Sequence, residues 1–217
     1  MRSHIPVPTI EYEKQWWCAG HRLVAGLDEA GRGAWAGPVA AAAVIFPPFE
    51  EVPRELAGVA DSKLLSPAMR AKLASIIRSF AITWAVAFTS PEVIDRSGII
   101  SATRAAMMQA LDALAPQPTA LLIDAICLPD AGRPQLAIVK GDRLSLSIAA
   151  ASILAKVSRD EWMCRAAEYY AGYGFASHKG YGTTQHRRAL HALGVCPLHR
   201  RTFKPLAEIL AEEAGDG

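Results

Sequence analysis

Short apolar runs alternate along this chain with segments that open on helix-start signals, and few architectures accept that order. Leu23 to Asp28 and Val39 to Phe46 read as two strands joined by a Gly-rich turn, Gly31 to Gly37. Ser66 before Pro67 supplies an N-cap hydroxyl and then a residue whose missing N–H costs nothing in a first helical turn. Met69, Leu73, Ile76, Ile77 and Phe80 fall on one face, which predicts a helix ending near Phe80. Ala81 to Phe88 reads as a third strand. Ser90 and Pro91 repeat the start signal, and Ile100, Met107, Leu111 and Leu114 carry an apolar stripe as far as the break at Pro116 to Pro118. Thr119 to Ile126 and Gln135 to Val139 read as further strands. Leu144 to Tyr170 is helical in composition, and the small residues of its SIAAASILA stretch allow close packing on a sheet. The order predicts the α/β class: a mixed β-sheet flanked by helices, with a Gly-rich loop from Gly172 to Gly182 and a small helical C-terminal extension.

At 217 residues the chain suits one domain, with a core over about residues 22–170 and a C-terminal helical segment over about 171–217. A content of 51% hydrophobic and 20% charged residues fits a globular protein and gives no support for a disordered or fibrous chain. The longest apolar run, Pro38 to Phe49, is interrupted by Pro47 and Pro48 and falls short of the ~20 residues a membrane span needs. The opening MRSHIPVPTIEYEKQWW lacks the apolar core of a signal peptide, so the expected setting is cytoplasmic with no membrane partner, and the expected state is a monomer. Cys18, Cys127, Cys164 and Cys196 form no CxxC pair and signal neither a zinc site nor a disulfide framework.

Net charge is +2, too small to indicate a partner, but its distribution is uneven. From Tyr169 to Ala207 there is no Asp or Glu, whereas Lys179, Arg187, Arg188, Arg200, Arg201 and Lys204 fall there with His178, His186, His191 and His199. Such a block suits a phosphate backbone through counterion release; on charge alone a solvated face is an equal reading. No GxSxG elbow supplies a nucleophile, so the tail histidines read as surface or substrate-contacting groups.

Acidic residues sit where strands should end. Asp28 and Glu29 close the first strand before AGRG, Asp124 lies in the apolar LLIDA strand, and Asp142 follows the VKG strand end. Ligands gather at the ends of neighbouring strands in such sheets, so these carboxylates could converge. Asp124 is the most informative, because an acid in an apolar strand is costly to bury without a partner or a metal. Asp142 is open to a plainer role as cap of the following helix, and Asp28 and Glu29 to that of turn acids. Adjacent strand residues point to opposite faces, so Asp28 and Glu29 share a site only if the strand bends, which Gly31 and Gly33 permit. GLDEAGRGAWAG has neither GxGxxG spacing nor a GK[ST] end, so a phosphate loop is weakly supported.

Six blocks follow one another: DEAGRG at Asp28 to Gly33, AGPV at Ala36 to Val39, DSK at Asp61 to Lys63, LLID at Leu121 to Asp124, KGD with SIAAASILAKVSRD at Lys140 to Asp160, and GYGFASHKGYGT at Gly172 to Thr183. In that order, from about Val24 to Phe203, the chain resembles the ribonuclease HII family. The resemblance implies a ribonuclease H-like fold. It also implies an endonuclease that cuts RNA paired with DNA, and cuts at ribonucleotides embedded in duplex DNA, leaving 5′-phosphate and 3′-hydroxyl ends. By the same resemblance Asp28, Glu29, Asp124 and Asp142 match an acidic quartet that binds divalent metal, Mg²⁺ or Mn²⁺. Gly31, Arg32 and Gly33 match an element touching the scissile region, Tyr181 a tyrosine that senses a ribonucleotide beside DNA, and Lys63 a lysine of the substrate-binding face. Lys179, Arg187 and Arg188 are further candidates for backbone contact. The chain departs from the family pattern at Ala34 and Trp35, where Pro-Leu is usual, at Leu64, where a second lysine often follows, and at Ala125, where Gly is common. The tail LAEILAEEAGDG carries no clamp-binding QxxLxxFF ending.

The chemistry asks for these residue types. Two Mg²⁺ ions roughly 4 Å apart can neutralise a phosphodiester, activate water and stabilise the leaving oxygen, and carboxylates are suitable hard ligands. The 2′-hydroxyl is what separates a ribonucleotide from its deoxy counterpart. Three other readings stay open: a DNA-directed nuclease of the same fold, a non-catalytic RNA/DNA-hybrid binding module, and a small-molecule metal hydrolase. The GRG and GYG elements count against the first, the complete set of acids against the second, and the acid-free tail against the third.

Overall fold

The computed structural model describes residues 7–204 and 206–208. Among them the strands are β1 (Val24–Ala30), β2 (Val39–Ile45), β3 (Thr83–Thr89), β4 (Ala120–Asp124) and β5 (Gln135–Ile138), joined in one sheet of order β3-β2-β1-β4-β5. Pairing is antiparallel from β3 to β1 and parallel from β1 to β5, so the sheet is mixed as predicted. The helices are α1 (Glu11–Cys18), α2 (Pro67–Phe80), α3 (Pro91–Ser97), α4 (Ile99–Asp112), α5 (Leu146–Tyr169), α6 (Phe175–His178) and α7 (Thr184–Leu193). The hydroxyls of Ser66 and Ser90 accept from the backbone N–H groups of Met69 and Val93, the capping bonds their sequence context predicts.

Strand alternation divides the core. Val24, Val44 and Leu122 face α2 and α5, packing on Ile77, Ile148 and Ile153. Leu27, Ile45 and Ile123 face the other way, onto Ile94, Met107 and Leu111 of α3 and α4. The small residues at the start of α5 matter because a Cβ on Gly26 would come within 2.2 Å of the Ser147 carbonyl carbon. The helix backbone therefore lies almost on β1, which brings its next turns beside the strand ends. No helix among the described residues is long and apolar enough to cross a membrane.

Two local expectations need correction. The helix expected after Ser90 is two helices, broken at Gly98, because the stripe of α4 has to turn onto the sheet independently of α3. The loop from Gly172 to Gly182 holds the short helix α6. Helix α1 escaped notice because only Glu13 and Trp17 of its EYEKQWWC are buried. Glu13 accepts from the Ser145 and Ser147 hydroxyls and the Ser147 N–H at 2.6, 2.6 and 2.9 Å, tying α1 to the N-terminus of α5.

Candidate active site

The parallel pairing of β1 with β4 matches Leu27 to Ile123, so the register runs on to set Asp28 beside Asp124. Both stand on the face that carries α5. The next parallel pair sets Asp124 beside Ile138, and two residues beyond β5 the chain enters a 3-10 turn, Gly141–Arg143, that carries Asp142. The Gly141 N–H donates to Asp124 Oδ1 at 2.7 Å, which stitches this turn to the end of β4. Asp142 does not cap α5, because the Ser145 hydroxyl accepts from the Ile148 N–H and takes that role. With the capping role filled, the plainer reading of Asp142 fails.

Glu29 does not turn toward Asp28 by the strand bend that sharing a site was expected to need. The strand stays regular through Ala30, which pairs with Ala40, and the chain turns only at Gly31. Glu29 therefore points away from Asp28, and its Oε1 accepts from Arg32 at 3.1 Å in the turn beyond the strand. Its other carboxylate oxygen, Oε2, is buried with no hydrogen-bond partner.

Electrostatics link the four acids. Burial, then Glu29 and Asp124, holds the Asp28 carboxyl well above its ordinary range, against the opposing pull of the Ser152 hydroxyl. Burial also raises Glu29; Arg32 opposes the shift and Asp124 adds to it. Asp142 is raised by burial and then by Asp61 and Asp124, with Lys63 and Arg143 opposing. The charge of Asp124 thus reaches the other three. Among the described residues, no three His, Cys, Asp or Glu side chains are gathered into a ready-made metal cage.

One acid beside these was not singled out in the sequence. Asp61 is buried, caps Lys63 N–H through Oδ1 at 3.0 Å and pairs with Arg143 at 3.0 Å, so it lies beside Asp142 as a fifth acid. Its place in DSK was the available signal. Lys63 is exposed, and its charge acts on both Glu29 and Asp142. Ala125, the departure next to Asp124, has φ of 54°, a conformation that costs a non-glycine residue about 1 kcal/mol. Trp35, another departure, packs where a Cβ on Gly182 would come within 2.2 Å of its ring, and Arg187 Cζ lies over that ring at 5.5 Å from the centroid.

Behind the GRG turn lie two arginines that charge counting assigned to no interior. Arg159 and Arg200 are fully buried. Arg159 donates to the carbonyls of Pro38, Lys179 and Ala36 at 2.8, 2.9 and 3.1 Å. Arg200 donates to the carbonyls of Gly37, Gly31 and Arg32 at 2.8–3.0 Å. Burial lowers both guanidinium pKa values, that of Arg200 to about 9. The Tyr181 ring is half-buried beneath two cations, with Arg159 Cζ at 5.5 Å and Lys156 Nζ at 5.6 Å from its centroid. A cavity of about 650 Å³ opens beside it, lined by Arg70, Lys156, Asp160, Cys164 and Lys179, with none of the four acids in its wall.

The basic block divides in two. Arg187, Arg188 and Arg201 are exposed, whereas Arg200, His178, His186 and His199 are interior. Of the four tail histidines, expected as surface or substrate-contacting groups, His191 is exposed, whereas the other three pack with Tyr173 and Phe175, and His178 stacks on His186 at 4.5 Å. Lys179 Nζ turns back to the Ala176 carbonyl and to Cys164 Sγ. The tail beyond residue 208, where the clamp motif was sought, lies outside the described residues.

Layered sheet, acidic strand ends and a cation-backed glycine turn define a class: an α/β protein with a mixed sheet and acids at the ends of its central strands. Comparison with known proteins gives the class a family. The family model described as Ribonuclease HII matches residues 25–206. A Ribonuclease HII of Roseiflexus castenholzii is 52% identical over 205 residues, covering 93% of this chain and 91% of that protein. Among solved structures, the ribonuclease H2 of Pyrococcus horikoshii superposes with a TM-score of 0.72 at 27% identity, over 86% of this chain and 96% of that one. The Bst-RNase HIII structure in complex with Mn²⁺ superposes with a TM-score of 0.67 at 25% identity, over 87% and 69%. This chain belongs to the ribonuclease HII family and is a ribonuclease H-type endonuclease.

Proposed function

We propose that the enzyme hydrolyses the RNA strand of RNA/DNA hybrids and cuts at ribonucleotides embedded in duplex DNA, with Asp28, Glu29, Asp124 and Asp142 as its metal-holding catalytic carboxylates. The observation that carries this reading is the parallel register that sets Asp28 beside Asp124 on one face of the sheet, with the turn that holds Asp142 tied to Asp124 through the Gly141 N–H at 2.7 Å; burial raises Asp28, Glu29 and Asp142 as well. Such an arrangement is unfavourable by itself and favourable around a cation. The buried, unpartnered Glu29 Oε2 fits a hard cation, and so does an all-oxygen donor set. Mg²⁺ or Mn²⁺ bound there would supply charge neutralisation, an activated water and stabilisation of the departing 3′-oxygen, giving 5′-phosphate and 3′-hydroxyl ends. The Mn²⁺ complex of the HIII relative supports the choice of ion.

The chain's own groups do the rest. Asp124, held by Gly141 N–H, and Asp28, held by Glu29 N–H at 2.7 Å, keep fixed orientations. Gly31, Arg32 and Gly33 present backbone toward the sugar, Lys63 balances the acids, and Tyr181 offers a ring edge and hydroxyl to the ribonucleotide. On this reading the core over about residues 22–170 carries the acids, and the segment from about 171 carries substrate contacts. Arg187 and Arg188 are exposed for that use, and Lys179 lies beside Tyr181.

Tyr181→Ala tests specificity. Cleavage of a duplex with one embedded ribonucleotide should fall far more than cleavage of a long hybrid, which offers many registers. Circular dichroism should show an unchanged fold. Equal losses on both substrates would reduce Tyr181 to a general contact. The basic residues are tested separately: replacing Lys179, Arg187 and Arg188 by Ala should flatten the slope of log affinity against log salt by up to about one unit per lost phosphate contact. An unchanged slope would return them to a solvated face.

A further inference from the structure

The three buried histidines have a proton arrangement that the backbone dictates. Tyr181 O can only accept, and His186 Nδ1 lies 3.0 Å from it, so Nδ1 carries the proton and Nε2 is bare. At the other end the Cys196 N–H points at His199 Nδ1 at 2.8 Å, so that nitrogen is bare and Nε2 carries the proton. The Cys196 carbonyl, 3.2 Å from the same nitrogen, has a second lone pair free, but a ring proton there would stand against the Cys196 N–H at 2.8 Å, which leaves Nδ1 as the acceptor. The two facing nitrogens, His199 Nε2 and His186 Nε2, are 3.1 Å apart and become a matched donor and acceptor. His178 is fixed in the same way: Nδ1 accepts from the Gly180 N–H at 3.2 Å, and Nε2 donates to the Tyr173 carbonyl at 2.8 Å.

We propose that His186 and His199 are positioning residues for substrate discrimination: His199 fixes the tautomer of His186, and His186 in turn holds the backbone of Tyr181. The proposal rests on the reading of Tyr181 as the ribonucleotide-sensing residue. A hydrogen bond to one ring nitrogen selects the tautomer and so the group offered by the other. Without the His199 donor, His186 could place its proton on Nε2 and turn a bare nitrogen toward the Tyr181 carbonyl, lone pair against lone pair. The chain is anchored outside the loop it serves, because His199 pairs with Ala36 across a β-bridge and the neighbouring Arg200 N–H donates to the Trp35 carbonyl at 2.8 Å. The same segment therefore grips the GRG side through Arg200 and the Tyr181 side through His199. Burial suits the arrangement, since it pushes both imidazoles down to about 4 and keeps them neutral.

The amide side chains separate the two ring positions. Asn places its amide where Nδ1 stood, and Gln where Nε2 stood. His186→Asn can still donate to Tyr181 O, and His199→Gln can still donate to His186. His186→Gln and His199→Asn cannot. The experiment measures kcat and KM for these four variants and for Tyr181→Ala on a single-ribonucleotide duplex and on a long hybrid, with melting temperatures alongside. The expected result is a fall in the ratio of the two kcat/KM values, on the order of threefold to tenfold, in His186→Gln and His199→Asn, with the ratio kept in the two rescuing variants. Equal ratios within either pair would overturn the proposal, whatever happens to stability. Loss of discrimination in Tyr181→Ala alone would overturn the histidine assignment and leave the tyrosine reading standing; loss in none would overturn both. Should the variants fail to fold, the ¹⁵N spectrum of the wild-type histidines decides: Nδ1–H at His186 with Nε2–H at His199 and His178 is required, and any other pattern overturns the proposal.

Discussion

Asp124→Asn is expected to abolish metal-dependent cleavage while raising the melting temperature of the metal-free protein. The two effects have one cause. The folded state raises the pKa values of Asp28, Glu29 and Asp142, so a negative charge on any of them weakens the fold. That penalty fades as pH falls through the raised values and is largest above them. Asn removes the charge that adds to all three shifts, and its carbonyl oxygen can still accept from Gly141 N–H. Each kcal/mol of repulsion relieved should add about 2–4 °C for a chain of this size. The same change removes a negative ligand, and a loss of several kcal/mol of transition-state stabilisation corresponds to about a 10³-fold fall in kcat. Affinity for the hybrid should be largely kept. Mn²⁺ should raise the melting temperature of the wild type and not that of the variant. Wild-type turnover in the variant would remove Asp124 from the centre, and an unchanged metal-free melting temperature would contradict the electrostatic account.

Gly31→Ala and Gly33→Ala, two residues apart, are expected to fail in opposite ways. A Cβ at Gly31 would lie 1.9 Å from Arg159 Nε, and its φ of 92° is one that L side chains rarely adopt. Arg159 cannot retreat easily, because three backbone carbonyls hold its guanidinium. Backbone strain with the loss of one or two of those bonds amounts to about 3–5 kcal/mol, or a fall in melting temperature on the order of 10 °C. Gly33 is exposed, and a Cβ there would meet no atom within 4 Å. Gly33→Ala should therefore melt like the wild type. If the GRG turn meets the scissile region as proposed, its cleavage should fall on the order of 10- to 100-fold, because the added methyl would stand where the substrate sugar approaches. Thermal denaturation and single-turnover cleavage on one duplex separate the cases. Undiminished cleavage by Gly33→Ala would end the assignment of the GRG turn to the scissile region.

Much of the fold was legible because its signals are local. Ser66 and Ser90 cap the helices they precede, and an apolar period of two or of about 3.6 residues reports directly which side chains leave water. Asp124 could be singled out for the same reason, as the acid in a run that otherwise reads as interior. The assignment of Asp142 could not be made locally, since only the observed cap at Ser145 frees it from that role. The bend expected to bring Glu29 round to Asp28 is absent, and only the turn beyond the strand, where Arg32 pairs with Glu29, decides where its carboxylate goes. Arg159, Arg200 and the three buried histidines were decided by tertiary structure alone. A charged side chain has no periodic signature of burial, and it can be buried only when partners come to it. For Arg159 and Arg200 those partners are backbone carbonyls, most of them more than 120 residues away in sequence, and every residue type presents the same carbonyl.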